Sequence, residues 1–258
     1  MLIAQLSDTH LQSGPLAAEP ARLFHRALGA VLALDRRPDC VVITGDVAND
    51  GTAEQYAVMR ELVGQFPLPV HLLPGNHDDP EVMVAAFGNT AYLGDGECAH
   101  YVLEYPDTTI VALDTNVAGS NNGRLAPEQL AWLDRALSAT DKPTVIGLHH
   151  PPIPVGMPFL DAMSLDNPAD LAAVLGRHPH VVLLMAGHVH RTIFGSLGGI
   201  PVTVAPSTYR QAALDLVTTP SSGYRHESPG LLIHLVEGGR TVTHYVPTDV
   251  TGSRVGYF

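Results

Sequence analysis

Cysteine is nearly missing from this chain of 258 residues, where Cys40 and Cys98 are the only two. That excludes a disulfide framework and a thiolate metal cage. Cys40 sits in the apolar run Cys40-Val41-Val42-Ile43 and reads as a buried structural thiol. Positive charge is scarce as well: Lys and Arg total 14 against 26 Asp and Glu, for a formal net charge of -12. So acidic a chain is ill suited to duplex nucleic acid, where affinity comes largely from Lys and Arg. A small anionic substrate stays open, because bound cations would add local positive charge. No apolar run approaches the roughly 20 residues of a membrane span. The start, Met1-Leu2-Ile3-Ala4-Gln5-Leu6, lacks the basic and long apolar regions of a signal peptide. The expectation is a cytoplasmic protein with no membrane partner.

What the chain has in quantity is histidine, 14 residues, as many as Lys and Arg together. Histidine is the commonest metal ligand, so their placement matters. Apolar runs at Leu2–Leu6, Cys40–Thr44, Val70–Leu73, Ile110–Leu113, Thr144–Leu148 and Val181–Met185 predict strands covered on both faces. Helical periodicity falls between them, at 20–34, 53–63, 127–137 and 168–176. The last third reads as short strands with Gly-rich turns, at Ile193–Leu197, Pro201–Ala205, Leu231–Val236 and Thr241–Val246. This order predicts an α/β protein with a mixed sheet. With no linker or repeat, residues 1–258 read as one domain, with 206–258 a C-terminal loop and strand extension. The irregular stretches 151–167 and 206–230 read as walls of a substrate pocket.

Five of the strands run into short polar motifs: Asp8-Thr9-His10, Gly45-Asp46-Val47-Ala48-Asn49, Gly75-Asn76-His77-Asp78, His149-His150 and Gly187-His188-Val189-His190. The carboxyl edge of an open α/β sheet is where ligands bind. Each motif alone has a plain explanation, as a turn dipeptide or a helix cap; the recurrence in five places does not. Asp and Asn oxygens with imidazoles and no thiolate suit Mn, Fe, Zn, Co or Ni. Seven candidate ligands are too many for one tetrahedral ion. One bridging carboxylate would give each of two ions four protein contacts, and two ions about 3.5–4 Å apart clamp both oxygens of an in-line displacement at phosphorus.

These motifs resemble, in order and spacing over roughly residues 1–205, the calcineurin-like metallophosphoesterases. Within that superfamily the chain looks most like bacterial class III cyclic-nucleotide phosphodiesterases and their glycerophosphodiesterase relatives. The narrower likeness is carried by His149-His150-Pro151-Pro152-Ile153-Pro154 and Gly199-Ile200-Pro201-Val202. The resemblance implies a four-layer αββα sandwich of two mixed sheets flanked by helices. It implies two divalent or trivalent transition-metal ions, with Asp8, His10 and His190 on one, Asn76, His149 and His188 on the other, and Asp46 bridging. A metal-bridging hydroxide would attack phosphorus, while His77 assists the leaving group. It also implies a homo-oligomer, expected to be a dimer.

Many members carry Asp where this chain has Asn49, and an Asp there would raise the basicity of His77 through a hydrogen bond. Asn49 and His150 are therefore read as residues behind the ligands or beside the substrate. Asp78 and Asp79, before Pro80, read as caps of a following helix. Arg191 reads as either a phosphate contact or a surface charge. The expected activity is hydrolysis of small phosphodiesters, with 3′,5′-cyclic nucleotides foremost. The alternatives are a glycerophosphodiesterase or broad phosphomonoesterase with the same metal site, and a non-catalytic metal-binding regulatory protein.

Overall fold

Three apolar runs near the start of the chain, Leu2–Leu6 (β1), Cys40–Thr44 (β2) and Val70–Leu73 (β3), are buried at every position. They pair in parallel, β1 with β2 and β2 with β3. Burial on both faces is why they read as unbroken apolar runs. Between and after them lie Ala18–Leu32 (α1), Ala53–Val63 (α2) and Pro80–Phe87 (α3). Helix α1 buries Leu23, Phe24, Ala27, Leu28 and Val31, residues spaced three or four apart along one face. Asp79 caps α3 as expected, its Oδ1 accepting from the Glu81 and Val82 amides at 2.9 and 3.1 Å.

The computed structural model describes residues 1–218 and 222–249. Positions 219–221 of the expected 206–230 wall and 250–258 of the expected 206–258 extension lie outside the described residues.

A second sheet has the order β4-β5-β6-β7-β9-β8. Its strands are Tyr101–Glu104 (β4), Thr109–Ala112 (β5), Thr144–Gly147 (β6), Val181–Ala186 (β7), Ile193–Leu197 (β8) and Ile200–Val204 (β9). Strands β5, β6, β7 and β9 run parallel, and the edge strands β4 and β8 are antiparallel to their neighbours. Alternate side chains divide the sheet between two cores. Ile110, Ala112, Val145, Leu183 and Met185 join the core shared with the first sheet. Val111, Ile146 and Leu184 pack with Leu133 and Leu137 of Pro127–Ser138 (α4). Further on come the short Pro158–Asp161 (α5) and Pro168–Leu175 (α6), the latter adding Leu171, Val174 and Leu175 to that outer core.

A two-residue pairing of Gln211–Ala212 (β10) with Tyr224–Arg225 (β11) follows. Gly230–Glu237 (β12) and Arg240–Pro247 (β13) then complete the first sheet, in the order β13-β12-β1-β2-β3. The result is two mixed sheets flanked by helices, the expected αββα arrangement. The sequence pattern did not reveal β4. It is an edge strand buried only at Tyr101, so neither an apolar run nor a clean alternation marks it. Among the described residues no helix is long and apolar enough to cross a membrane.

Candidate metal centre

Parallel strands point their carboxyl ends the same way, and here the ends of two sheets meet. From the first sheet, β1 leads to Asp8 and His10, β2 to Asp46 and β3 to Asn76. From the second, β6 leads to His149 and β7 to His188 and His190. All seven are brought together. Asp8, His10, Asp46 and His190 place donor atoms within 4.8 Å of one another, and His149, His150 and His188 do the same beside them. This is a dimetal-type arrangement of Asp and His groups.

The backbone is bent to make it. Asp8, His10, Asp46, His188 and His190 have φ of 53°, 43°, 50°, 71° and 54°, a left-handed region that costs most side chains about 1–3 kcal/mol each. Hydrogen bonds across the loops hold that conformation. His10 N donates to the Asp46 carbonyl at 2.9 Å and Leu11 N to Val47 at 3.0 Å, so the turns after β1 and β2 run on together. His188 N donates to the Asp8 carboxylate at 3.1 and 3.2 Å, tying the two sheets at the site. Close approach also demands glycine. A Cβ on Gly75 would collide with the Asp46 carboxylate, and one on Gly187 with Ser7 Oγ.

The side chains face one another in a way that proteins avoid unless a cation lies between. His149 donates Nδ1–H to the Thr44 carbonyl at 2.8 Å, which turns Nε2 into the cluster. That nitrogen faces Asn76 Oδ1 at 3.1 Å and Asp46 Oδ1 at 3.3 Å, both acceptors, so a proton or a metal ion must lie between. His190 likewise donates Nδ1–H to the Arg210 carbonyl at 2.7 Å, and its Nε2 faces His10 Nε2 at 2.9 Å. His188 Nδ1 lies 2.8 Å from the same Asn76 oxygen, while its Nε2 is buried with no partner. Ring nitrogens converging on oxygens and on one another, with the far nitrogens of His149 and His190 anchored to carbonyls, is the arrangement of metal-binding imidazoles.

Charge in this cluster is frustrated. Burial alone would push His149 down, but the Asp46 charge and hydrogen bond, with Asp8 and the Thr44 carbonyl, raise it to about 9. Burial would raise Asp46, yet His149, His10 and His77 together hold its carboxyl well below the usual range. Burial raises Asp8 despite His190 and His149. It lowers His10 and His188 to about 3, keeping both imidazoles neutral. A proton on His149 is a partial substitute for a cation.

His77 stands exposed at the mouth, its ring 4.7 Å from that of His10 and nearly perpendicular to it. Its Nδ1 donates to the main-chain carbonyl of Asn49 at 2.8 Å. This corrects the expectation for Asn49, whose side chain turns to Asp50 at 3.1 Å, so the residue type there does not set the His77 bond. Asp78 is a second correction. It caps no helix; its carboxylate accepts from the amides of Val47, Ala48 and Gly75 at 3.0, 2.9 and 2.8 Å and from the Tyr56 hydroxyl at 3.0 Å. It braces the loop carrying Asp46 against the loop carrying Asn76.

His150 is buried with both nitrogens engaged, by Thr115 Oγ1 at 2.8 Å and the Asn121 carbonyl at 3.2 Å. Its ring packs against those of His149 and His188. Arg191 pairs with Glu227 at 3.0 Å, away from the cavity.

The cluster floors a cavity of about 230 Å³. Phe159, Leu160 and Met163 from 151–167, and Ala212, Ser222, Gly223 and Tyr224 from 206–230, form its walls, as those stretches were expected to do. Asn121 also lines it; no motif marked that residue, which lies in the loop between β5 and α4.

The sequence profile of the calcineurin-like phosphoesterases matches residues 1–192. The chain is 31% identical over 255 residues to a probable glycerophosphodiester phosphodiesterase of Arcobacter nitrofigilis, covering 95% of this chain and 93% of that one. It is 33% identical over 211 residues to the 3′,5′-cyclic adenosine monophosphate phosphodiesterase of Escherichia coli K12, covering 80% and 75%. Among solved structures, a dimetal phosphatase from Danio rerio shares the fold, with a TM-score of 0.69 at 17% identity over 96% of each chain. The converging motifs, the sandwich and these likenesses agree: the chain belongs to the calcineurin-like phosphoesterases.

Proposed function

We propose that this chain hydrolyses small phosphodiesters at a two-metal centre, with a 3′,5′-cyclic nucleotide as its leading substrate. The observation that carries the reading is the convergence of His149 Nε2 with the oxygens of Asn76 and Asp46 at 3.1 and 3.3 Å, a spot that must hold positive charge, as a proton or as a metal ion. Asp8, His10 and His190 would hold one ion, and Asn76, His149 and His188 the other. Asp46 would serve both, since one carboxylate oxygen faces His10 and the other His149. Bound ions would supply an activated water and neutralise charge on the phosphoryl oxygens. Nitrogen and oxygen donors without thiolate suit Mn, Fe, Zn, Co or Ni, and metal analysis of the protein as isolated chooses among them.

His77 holds its Nδ1–H on the Asn49 carbonyl, which leaves Nε2 to carry the proton that a leaving alkoxide needs. His150 keeps the rings of His149 and His188 in place. Among the described residues no Lys or Arg lines the cavity, which favours the single charge of a diester over the double charge of a monoester. Phe159, Leu160, Met163 and Tyr224 favour a flat, weakly polar substituent such as a nucleobase. A glycerophosphodiester is the second reading, supported by the relative that matches over 95% of this chain.

Side-by-side turnover of cyclic AMP, glycerophosphocholine and an aryl phosphomonoester tests the choice. The expected order is cyclic AMP first and the monoester last. Faster glycerophosphocholine turnover moves the assignment to the second reading, and a monoester preference overturns both. The reading takes residues 1–258 as one domain, supported by β12 lying hydrogen-bonded between β13 and β1. It also takes the chain as a homodimer, which light scattering checks. Phe194, Val242 and Tyr245, exposed on the edge strands β8 and β13, are apolar surface that a second copy would cover.

A further inference from the structure

Gln5 is an amide in the middle of an otherwise apolar strand, and it is fully buried. Such a group costs stability unless its hydrogen bonds are met. Here all are met, by four different strands. Nε2 donates to Thr44 Oγ1 of β2 at 3.1 Å and to the Ala186 carbonyl of β7 at 2.8 Å. Oε1 accepts from His234 Nε2 of β12 at 2.9 Å and shares the Thr203 hydroxyl of β9, 3.4 Å away, with the Leu184 carbonyl. The Ala186 carbonyl can only accept, which fixes the end of the amide that is nitrogen. His234 must then donate through Nε2, and its Nδ1 accepts from the Thr243 hydroxyl of β13 at 2.9 Å. Burial keeps this imidazole neutral, as the chain of bonds requires.

The position of this network matters more than its completeness. Thr44 and His234 belong to the first sheet, as Gln5 does; Ala186 and Thr203 belong to the second. Thr44 immediately precedes Gly45-Asp46, and its carbonyl also receives His149 Nδ1–H. Ala186 immediately precedes Gly187-His188, and Gln5 lies three residues before Asp8. One amide therefore links the roots of three motifs from two sheets. Apolar packing between sheets tolerates small slips, whereas a donor and acceptor pair at fixed distances does not.

We propose that Gln5 and His234 are positioning residues for the metal centre, a polar strut between the sheets that fixes the spacing of the strand ends carrying Asp8, Asp46 and His188. This rests on the two-metal reading above.

The test compares wild-type protein with Gln5→Met, His234→Phe, His234→Gln and Thr243→Val. Three quantities are read on each: Mn²⁺ affinity by chelator competition, kcat and KM for bis(p-nitrophenyl) phosphate at saturating Mn²⁺, and the unfolding midpoint of the chelator-treated protein. Gln5→Met and His234→Phe are expected to weaken Mn²⁺ binding about tenfold or more and to lower kcat, with KM little changed. His234→Gln, which restores a donor to Gln5, recovers most of the loss. Thr243→Val lowers the unfolding midpoint modestly and also weakens binding severalfold in the folded protein. A role in stability alone would instead lower the midpoints and leave the folded variants with wild-type affinity and kcat, and that result overturns the proposal. If Gln5→Met does not fold, His234→Phe and Thr243→Val decide on the same criteria. Wild-type protein that binds no Mn²⁺ overturns the two-metal reading and this one with it; an active wild type with unaffected variants overturns this one alone.

Discussion

The carboxylate of Asp46 lies between His10 and His149, Oδ2 at 3.5 Å from one Nε2 and Oδ1 at 3.3 Å from the other. In the proposed centre that carboxylate serves both ions, so its loss should be felt at both. Asp46→Ala is expected to lower bound metal below two per chain and to reduce diester turnover by about a hundredfold or more. Metal analysis and steady-state rates on the folded variant check this; full metal with normal turnover would remove Asp46 from the bridge.

His77 should behave differently, because it stands at the mouth and has no place in either ligand set. His77→Ala is expected to keep its metal and lose about 10²- to 10⁴-fold in rate, most for substrates with poor leaving groups. A loss equal across leaving groups of different pKa would rule out proton transfer by this ring. Asn49→Ala should change little, within about twofold, because the main chain, not the Asn49 side chain, meets His77. That outcome contrasts with the sequence-based expectation that residue type at 49 tunes His77.

Asp78 gives a stability prediction. Asp78→Ala strands the buried amides of Val47, Ala48 and Gly75. Each unpaired group costs about 1–3 kcal/mol, so a loss of several kcal/mol is expected in urea unfolding. Asp79→Ala removes only a helix cap and should cost about 1 kcal/mol. Similar small losses for the two would show that Asp78 is no brace.

Acid should unfold the metal-free protein early. Burial pushes His10, His188 and His234 down to about 3, whereas the unfolded chain protonates them near pH 6.5. The unfolded state binds more protons in that window. The stability these groups contribute is therefore whole above about pH 6.5 and lost as pH falls toward 3. His149 works the other way: raised to about 9 when folded, its contribution is whole below pH 6.5 and lost as pH rises through 9. Asp78, raised to about 7 by burial, also gains as pH falls from 7 toward 4, so the balance is three against two. The urea midpoint of chelator-treated protein should still fall from pH 7 to pH 4.5, and no fall would contradict the buried, neutral state of the three.

Much of this was readable in the sequence, for definite reasons. Strands buried on both faces are apolar at nearly every position, so β1, β2, β3 and β7 announce themselves, and a His or Asp right after such a run has few reasons to be there. Besides β4 and Asn121, three features that sequence reading missed or misread depend on distance or on main chain. Asp78 sits beside a capping residue, but its partners Val47 and Ala48 are about 30 positions away. The His77 bond goes to a carbonyl, which every residue possesses. Gln5 looks like one polar interruption of a strand until the fold brings Ala186 and His234 beside it.

The most direct measurement is diester hydrolysis by chelator-stripped protein as Mn²⁺ is titrated back, with bound metal counted at each step. The account predicts negligible turnover of bis(p-nitrophenyl) phosphate and cyclic AMP without metal, and full turnover as occupancy reaches two ions per chain. Full activity in the stripped protein, or none with two ions bound and each of Mn, Fe, Zn, Co and Ni tried, would contradict it.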